Sequence, residues 1–170
     1  MPMALRIFAI MLLRAGPQHL PYSVSLCTIS LALYVVSGAL VLTTTLGSGQ
    51  AAANMVIDAA LLAAFSYICL SLLKYRARFV QMVSALAGIG IVYHLLAWPL
   101  FVGLNSVQAD ERSAGVFALL MLLLISWQVL VFAHVFRHAM QLSMGRALAL
   151  SFGYLFLSMA VAEIIFPGNQ

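Results

Sequence analysis

The sequence predicts an all-α, polytopic membrane protein with five transmembrane helices preceded by a short amphipathic interfacial helix. Of the 170 residues, 65% are apolar and only 7% are charged, whereas a soluble domain needs roughly 25% charged residues to keep its surface wetted. The apolar residues form five long runs, and the basic residues lie at the ends of those runs. One basic turn, residues 72–79, contains Lys74, Arg76 and Arg78 between two of the runs. Because such cations enter a hydrocarbon core only at a high free-energy cost, this turn fixes the side of the membrane for the helices around it.

Residues 1–21 are predicted to form a cytoplasmic interfacial helix followed by a Gly/Pro turn. Arg6 and Arg14 flank a stretch that is rich in Ile, Leu, Met and Phe. About 11 residues give a helix of ~16 Å, which is too short for a hydrocarbon core of ~30 Å. We therefore expect this helix to lie in the headgroup plane with its apolar face on the lipid. Gly16 and Pro17 then end it.

Residues 22–170 are predicted to form a five-helix transmembrane bundle with spans at 22–46, 51–73, 79–98, 114–136 and 147–166. The first span carries Ser and Thr residues but no charge. Because hydroxyl groups in a membrane helix bond to the preceding turn or to a neighbouring helix, we expect this span to be buried against other helices. Pro99 removes a backbone donor, so the third span should end or kink there.

Small residues four positions apart predict where helices approach one another closely. They occur in the second, third and fifth spans, as Ala59/Ala63 and Ala60/Ala64, as Ser84/Gly88, and as Gly145/Ala149/Gly153. We expect each of these faces to pack inside the bundle.

The distribution of basic residues predicts the orientation in the membrane. Only Arg112 falls on one side of the predicted spans, and seven basic residues fall on the other side: Arg6, Arg14, Lys74, Arg76, Arg78, Arg137 and Arg146. By the positive-inside rule, the N-terminus is cytoplasmic and the C-terminus periplasmic, in the inner membrane of a bacterium. Because the basic residues are dispersed, we expect contacts with anionic lipid headgroups and none with nucleic acid.

The sequence lacks the motifs that mark the common membrane enzymes. It contains no Gly-rich phosphate loop, H-E-x-x-H, paired C-x-x-C or G-x-S-x-G. A b-type haem needs two histidines at one depth, whereas His94 falls in the outer half of its span and His134 in the inner half of another. We therefore expect no enzyme activity, no catalytic residue, no cofactor and no metal site. Cys27 and Cys69 lie inside apolar runs and are expected to pack there.

The candidate binding site consists of polar residues at one depth. Asp58 and His94 each lie 16 residues from the basic turn, and Glu163 lies 17 residues from Arg146. At 1.5 Å per residue, all three are roughly 24–26 Å from the cytoplasmic anchors. Asn54, one turn outward from Asp58, would line a route to the periplasm. The three ionisable side chains form a site if they converge; alternatively, each reaches water independently at its helix end.

Three further polar residues leave alternatives open. Gln128, near the middle of the fourth span, is expected to hold helices together by hydrogen bonding rather than to bind a ligand. His134 and His138 are one helical turn apart on either side of Arg137. We expect them to contact lipid headgroups or a partner, or to lie on a partly solvated helix end.

The layout of a cytoplasmic N-terminal segment, five crossings and an outside C-terminus resembles that of the Yip-type five-pass membrane proteins. The opening residues 12–23, LLRAGPQHLPYS, also look like the start of small uncharacterised bacterial membrane proteins. This resemblance implies a non-enzymatic membrane component that organises partners or lipid.

Two functions follow from these patterns. The first is a small structural, assembly or accessory protein of the bacterial inner membrane, acting through helix–helix contacts with a membrane-protein partner or with further copies of itself. The second is an oligomeric transporter or ion- or proton-coupled channel subunit that uses Asp58, His94 and Glu163. An enzyme acting on lipid is disfavoured because no nucleophile–base pair is recognisable.

Overall fold

The structure is a computed structural model that describes residues 3–106 and 111–166. These residues form six α-helices and two short 3-10 turns, with no strand among them. The helices are α1 (Met3–Met11), α2 (Val24–Leu42), α3 (Ser48–Leu72), α4 (Phe79–Ser106), α5 (Glu111–Met140) and α6 (Met144–Ile165), and the turns are Pro17–His19 and Arg76–Arg78.

Helices α2 to α6 are each long and apolar enough to cross a membrane. The shortest, α2, has 19 residues; at 1.5 Å per residue it is ~28 Å long, close to the ~30 Å of a hydrocarbon core. Large apolar side chains cover the outside, and Ile164 and Leu72 are 78% and 77% exposed. The architecture is that of a multi-pass membrane protein, and the predicted all-α class with five spans and a short N-terminal helix is confirmed.

Helix α4 differs most from its predicted span. It begins at Phe79 as expected but continues through Pro99 to Ser106. Pro99 is exposed, and its ring removes only one hydrogen bond of the helix, a loss that membrane helices tolerate. The helix therefore does not end at this proline, and the alternative, a kink at Pro99, stays a prediction.

Helix α4 lies at the centre of the bundle, in contact with α1, α2, α3 and α5. Residues 82–90 are all buried, and the small side chains among them let the neighbours approach. A Cβ at Gly90 would overlap the Tyr34 ring of α2, and one at Gly88 would overlap the side chain of Ile7 in α1. The predicted close packing at Gly88 is thus present, with α1 as the neighbour.

Helix α1 lies against the bundle as well as against its surroundings. Ile7, Ile10 and Met11 are buried in the core that α4 and α5 form, whereas Leu5 and Phe8 are about half exposed. The apolar face that we expected to rest on lipid therefore rests in large part on the protein. The reason is that α1 has two apolar faces and the bundle covers one of them.

The turn after α1 is fastened to the bundle by two hydrogen bonds. The Nε2–H of His134 donates to the carbonyl of Ala15 at 2.9 Å, and the side-chain amide of Gln81 donates to the carbonyl of Leu20 at 2.7 Å. His134 is buried. The expectation that His134 contacts headgroups or lies on a solvated helix end is therefore wrong. The His134 side chain instead joins the N-terminal segment to α5.

Helices α1, α3 and α5 end in the same way at the basic end of the bundle, which is the end that carries Arg14, Lys74 and Arg137. Leu13, Lys74 and Gln141 have φ of 59°, 64° and 56°, respectively. The N–H of each following residue donates to the carbonyl five residues before it, from Arg14 to Ala9, Tyr75 to Leu70 and Leu142 to Arg137, at 2.8–3.1 Å. These are Schellman caps without glycine, and they turn α1, α3 and α5 sharply at one level.

The small-residue face of α6 points outward. Gly145, Ala149 and Gly153 are exposed, and no atom lies within 4 Å of a Cβ built at either glycine. The residues of α6 that are buried are Ala147, Ser151 and Tyr154. The prediction that the glycine face packs inside the bundle is therefore wrong for this chain on its own.

Candidate functional site

A cavity of about 340 Å³ with a mainly apolar wall and several polar side chains lies among all five long helices, in the half of the bundle away from the basic end. Its apolar lining comes from residues such as Val41, Phe101 and Met121. Its polar lining consists of Tyr34, Asn54, Asp58, Tyr93, His94, Gln128, Tyr154 and Ser158.

Asp58 of α3 accepts hydrogen bonds from three hydroxyl groups of two other helices. Tyr34 of α2 donates to Oδ2. Tyr154 and Ser158 of α6 both donate to Oδ1, at 3.1 and 2.5 Å; they are four residues apart and so share one face of α6. Three donors suit an ionised carboxylate, because they offset part of its desolvation inside the bundle. A carboxylate has about four acceptor positions, so one position on Oδ2 remains.

His94 of α4 is oriented by α2. The hydroxyl of Ser37 donates to the carbonyl of Tyr34 at 3.1 Å and lies 2.9 Å from Nδ1 of His94. Because the single hydroxyl proton goes to the carbonyl, Nδ1–H of His94 is the donor to the Ser37 oxygen, and Nε2 keeps its lone pair. The Tyr34 and His94 rings are 4.8 Å apart. Gly38 makes room for the Met55 side chain and for the imidazole, since a Cβ there would overlap Cε of Met55 and lie 2.8 Å from Cε1 of His94.

Several polar groups at this cavity have no hydrogen-bond partner among the described residues. The hydroxyl of Tyr93 is buried without one, and the Tyr93 side chain is only 2% exposed. The side-chain amides of Asn54 and Gln128 also line the cavity without a side-chain hydrogen bond to the part of the chain that the structure describes. Buried polar groups are otherwise nearly always paired. Water or a solute in the cavity can pair with the partly exposed amides of Asn54 and Gln128, whereas the Tyr93 hydroxyl is closed off from the cavity.

The structure brings together three of the four residues of the candidate site. Asp58, His94 and Asn54 all line the cavity. Glu163 does not; it lies on an exposed part of α6. Five residues separate it from Ser158, which at about 100° per residue turns it ~140° away from the side chain that bonds Asp58.

The sequence reasoning missed the residues that complete the site. Tyr34, Tyr154 and Ser158 hold the carboxylate, and Gln128 lines the cavity, although we had expected it only to join helices. The available signal was Tyr154 and Ser158, two hydroxyl residues one turn apart inside an apolar run. Within the described residues, no three His, Cys, Asp or Glu side chains come together as metal ligands.

Comparison of the chain with protein-family models, with curated proteins and with solved structures gives no match. The resemblance to the Yip-type layout therefore stays a prediction.

Proposed function

We propose that this protein binds a small cation or amine at Asp58 within the membrane and acts as a transporter or ion- or proton-coupled channel subunit. The observation that carries the proposal is a carboxylate on the wall of a cavity that is also lined by the side-chain amides of Asn54 and Gln128, which are unpaired within the described part of the chain. An ionisable residue at the centre of a membrane helix costs about 2.5–3.5 kcal/mol on insertion scales, and such residues commonly mark solute or ion pathways.

The chemistry of the lining supports a cationic or hydrogen-bond-donating solute. The free position on Oδ2 of Asp58, the Nε2 lone pair of His94 and the amide oxygens of Asn54 and Gln128 are all acceptors. Oxygen acceptors of this kind suit alkali cations and small ammonium groups. A cavity of about 340 Å³ accommodates such a solute together with water.

A binding experiment with purified protein tests this proposal. Na⁺, K⁺ and methylammonium are added in turn, and the unfolding temperature is measured in detergent, with N-methylglucamine chloride at equal ionic strength as the control. We expect a saturable rise with at least one of the three cations, because a solute that binds only the folded state stabilises it. If none of them raises the unfolding temperature, the proposal fails.

Three variants locate the binding site. Asp58→Asn should abolish the rise, and Gln128→Leu should weaken it without removing a hydrogen bond to any of the described residues. Glu163→Gln, matched in chemistry but outside the cavity, should respond like the wild type. The proposal is wrong if Glu163→Gln loses the response or if Asp58→Asn keeps it. Cation flux into liposomes then distinguishes transport from binding alone.

The orientation that we propose follows from the charge distribution. Arg14, Lys74 and Arg137 lie at the ends of α1, α3 and α5, and Arg76, Arg78 and Arg146 lie in or near the turns that follow α3 and α5. Hydrogen bonds from Tyr75 to Gln141 and from Arg78 to His138 join these two turns. The positive-inside rule then supports a cytoplasmic N-terminus, with the cavity in the periplasmic half of a bacterial inner membrane.

A second candidate function, assembly with a partner helix, is favoured by the outward glycine face of α6. Gly145, Ala149 and Gly153 offer the small-residue spacing at which membrane helices associate, and nothing in the described chain covers either glycine. Purification from the native membrane with mass spectrometry of co-eluting proteins tests it. A stable partner or a homo-oligomer that Ala149→Leu disrupts supports assembly, whereas a wild-type monomer contradicts it.

A further inference from the structure

A second cavity lies at the basic end of the bundle and is distinct from the site around Asp58. It has a volume of about 430 Å³ and is lined by Gln18, Arg78, Arg137, His138, Gln141 and Leu142. The lining therefore comes from the two 3-10 turns, from the last turn of α5 and from the two residues that follow it. Two arginines and three further hydrogen-bonding side chains share this space.

Two backbone carbonyls and an aromatic ring position Arg78 in this cavity. Its Nη1 donates to the carbonyls of His138 and Ala139 at 3.2 and 2.9 Å, and its guanidinium stacks 4.9 Å from the centre of the Tyr75 ring. These bonds satisfy carbonyls at the negative end of the α5 dipole. A guanidinium has five N–H donors, so Arg78 keeps donors for a ligand.

The other donors of this cavity are free. Arg137 is exposed and makes neither a hydrogen bond nor an ion pair with the described part of the chain. The Oε1 of Gln141 accepts from the hydroxyl of Tyr75 at 2.9 Å, which leaves the Gln141 amide N–H groups available. The described acidic side chains, Asp58 and Glu163, both lie in the opposite half of the molecule. The cavity thus presents donors and positive charge without a counter-charge from these residues.

The position of the cavity relative to the bilayer indicates which anion reaches it. Helix α5 has 30 residues, or ~45 Å at 1.5 Å per residue, which matches a bilayer of ~40–45 Å including its headgroups. Its last turn, with Arg137 and His138, therefore lies at headgroup depth. Leu72 and Leu73 at the end of α3 extend exposed apolar surface to this level.

We propose that this cavity binds the phosphate headgroup of an anionic phospholipid. Arg78 and Arg137 supply guanidinium groups for the phosphate oxygens, with bidentate geometry that lysine does not offer. The amide of Gln141 and the imidazole of His138 complete the set of polar groups. The acyl chains then run along the apolar outer surface of the spans.

Lipid binding to the whole protein in neutral detergent tests the proposal. Phosphatidylglycerol is titrated, and bound lipid is counted by native mass spectrometry, with phosphatidylcholine and inorganic phosphate as competitors. We expect phosphatidylglycerol to bind, phosphatidylcholine to compete weakly, and inorganic phosphate to leave the bound lipid unchanged. If inorganic phosphate, at the concentration of the added phosphatidylglycerol, displaces the bound lipid, the cavity is a site for free anions and the lipid assignment is wrong. The assignment is also wrong if phosphatidylglycerol does not bind.

Two arginine variants separate this cavity from the basic surface in general. Arg137→Gln should weaken phosphatidylglycerol binding about tenfold, since it removes charge-assisted hydrogen bonds. Arg146→Gln removes the same charge from an exposed residue at the same end but outside the cavity, and should change binding less than about twofold. Because Arg137 makes no hydrogen bond or ion pair within the described protein, its variant should unfold at the wild-type temperature without lipid. An equal loss in both variants, or no loss in Arg137→Gln, contradicts the proposal.

Discussion

At the scale of single residues, the Asp58 carboxylate is stabilised inside the bundle by hydrogen bonds from three hydroxyl groups. Two of the donors are tyrosines, whose rings fill apolar space while their hydroxyls reach the carboxylate. Tyr154 shows this most clearly, since its ring lies 5.6 Å from that of Phe65 and 6.1 Å from that of Phe132. The carboxylate is thus supported by the aromatic core as well as by hydrogen bonds.

Removal of one hydroxyl should measure the strength of this support. Tyr154→Phe keeps the ring contacts but deletes a donor to Asp58, so we expect a loss of about 1–3 kcal/mol in the free energy of unfolding. Unfolding in detergent micelles, followed by circular dichroism, checks this. Tyr22→Phe is the matched control, because Tyr22 is 66% exposed and should change stability little. Equal stability of the two variants would contradict a structural role for the Tyr154 hydroxyl.

The candidate site could be predicted in part at this scale. Asp58, His94 and Asn54 stand out in the sequence because a polar side chain inside an apolar run is costly in lipid and therefore marks a helix contact or a site. The tyrosine donors do not stand out, because tyrosine is equally common in apolar packing and at membrane interfaces. Glu163 was misplaced because counting residues gives depth along a helix but not rotation about its axis.

At the scale of the helices, three Schellman caps without glycine fix where the chain turns at the basic end. A residue with a Cβ is less stable in the left-handed conformation by about 1–2 kcal/mol than in the right-handed one, and glycine avoids this penalty. Leu13, Lys74 and Gln141 all carry that penalty. The turns are therefore held by the packing of the helices that they join.

A pair of substitutions at Lys74 isolates this backbone effect. Lys74→Ala and Lys74→Gly both remove the charge, but only glycine relieves the conformation at φ 64°. We expect the glycine variant to be more stable than the alanine variant by up to about 1 kcal/mol. The difference in unfolding free energy between the two proteins is the measurement. An alanine variant that is the more stable of the two would show that the cap is not strained.

Packing of the helices predicts opposite results at two glycines. Gly88→Leu should displace Ile7 and loosen α1, with a loss of about 1–3 kcal/mol typical of overpacking. Gly153→Leu has open space around it and should leave the monomer as stable as the wild type. Thermal unfolding together with limited proteolysis of the N-terminal segment distinguishes them. If α1 resists proteolysis in Gly88→Leu as well as it does in the wild type, the close contact between Gly88 and Ile7 is refuted.

The sequence was enough to predict most of the helices, but not which face of each helix packs against its neighbours. Five spans follow from apolar runs and basic ends, because a hydrocarbon core sets the length of a helix and excludes its charges. The burial of α1 does not follow, since its length shows that it cannot span but not what covers it. The outward glycine face of α6 escaped prediction for a related reason, because small residues mark a helix contact without naming the helix.

At the scale of the whole molecule, charge and polarity are separated along the bundle. The basic end carries the donor-rich cavity around Arg78 and Arg137, and the opposite half carries the acceptor-rich cavity around Asp58 and His94. The two cavities would therefore attract ligands of opposite sign from opposite sides of a membrane.

The orientation of this arrangement can be measured directly. In a protein in which Cys27 and Cys69 are replaced by Ser, a cysteine at Ser48 should react with an impermeant thiol reagent in intact cells, and one at Ala77 should not. Both positions are exposed at helix ends, so access across the membrane decides the result. Labelling at Ala77 alone would reverse the proposed topology.

The burial of α1 also has a consequence for biosynthesis. Helix α1 is synthesised before α4 and α5, on which it packs, and the hydrogen bond from His134 to Ala15 joins residues 119 positions apart. At about 5–20 residues per second, the partner surface is completed roughly 6–24 s after Ala15 is made. During that interval, the apolar side chains of α1 need another cover, such as the lipid surface or an insertion factor. Helix α1 can therefore reach its final position only after α5 has been synthesised and inserted.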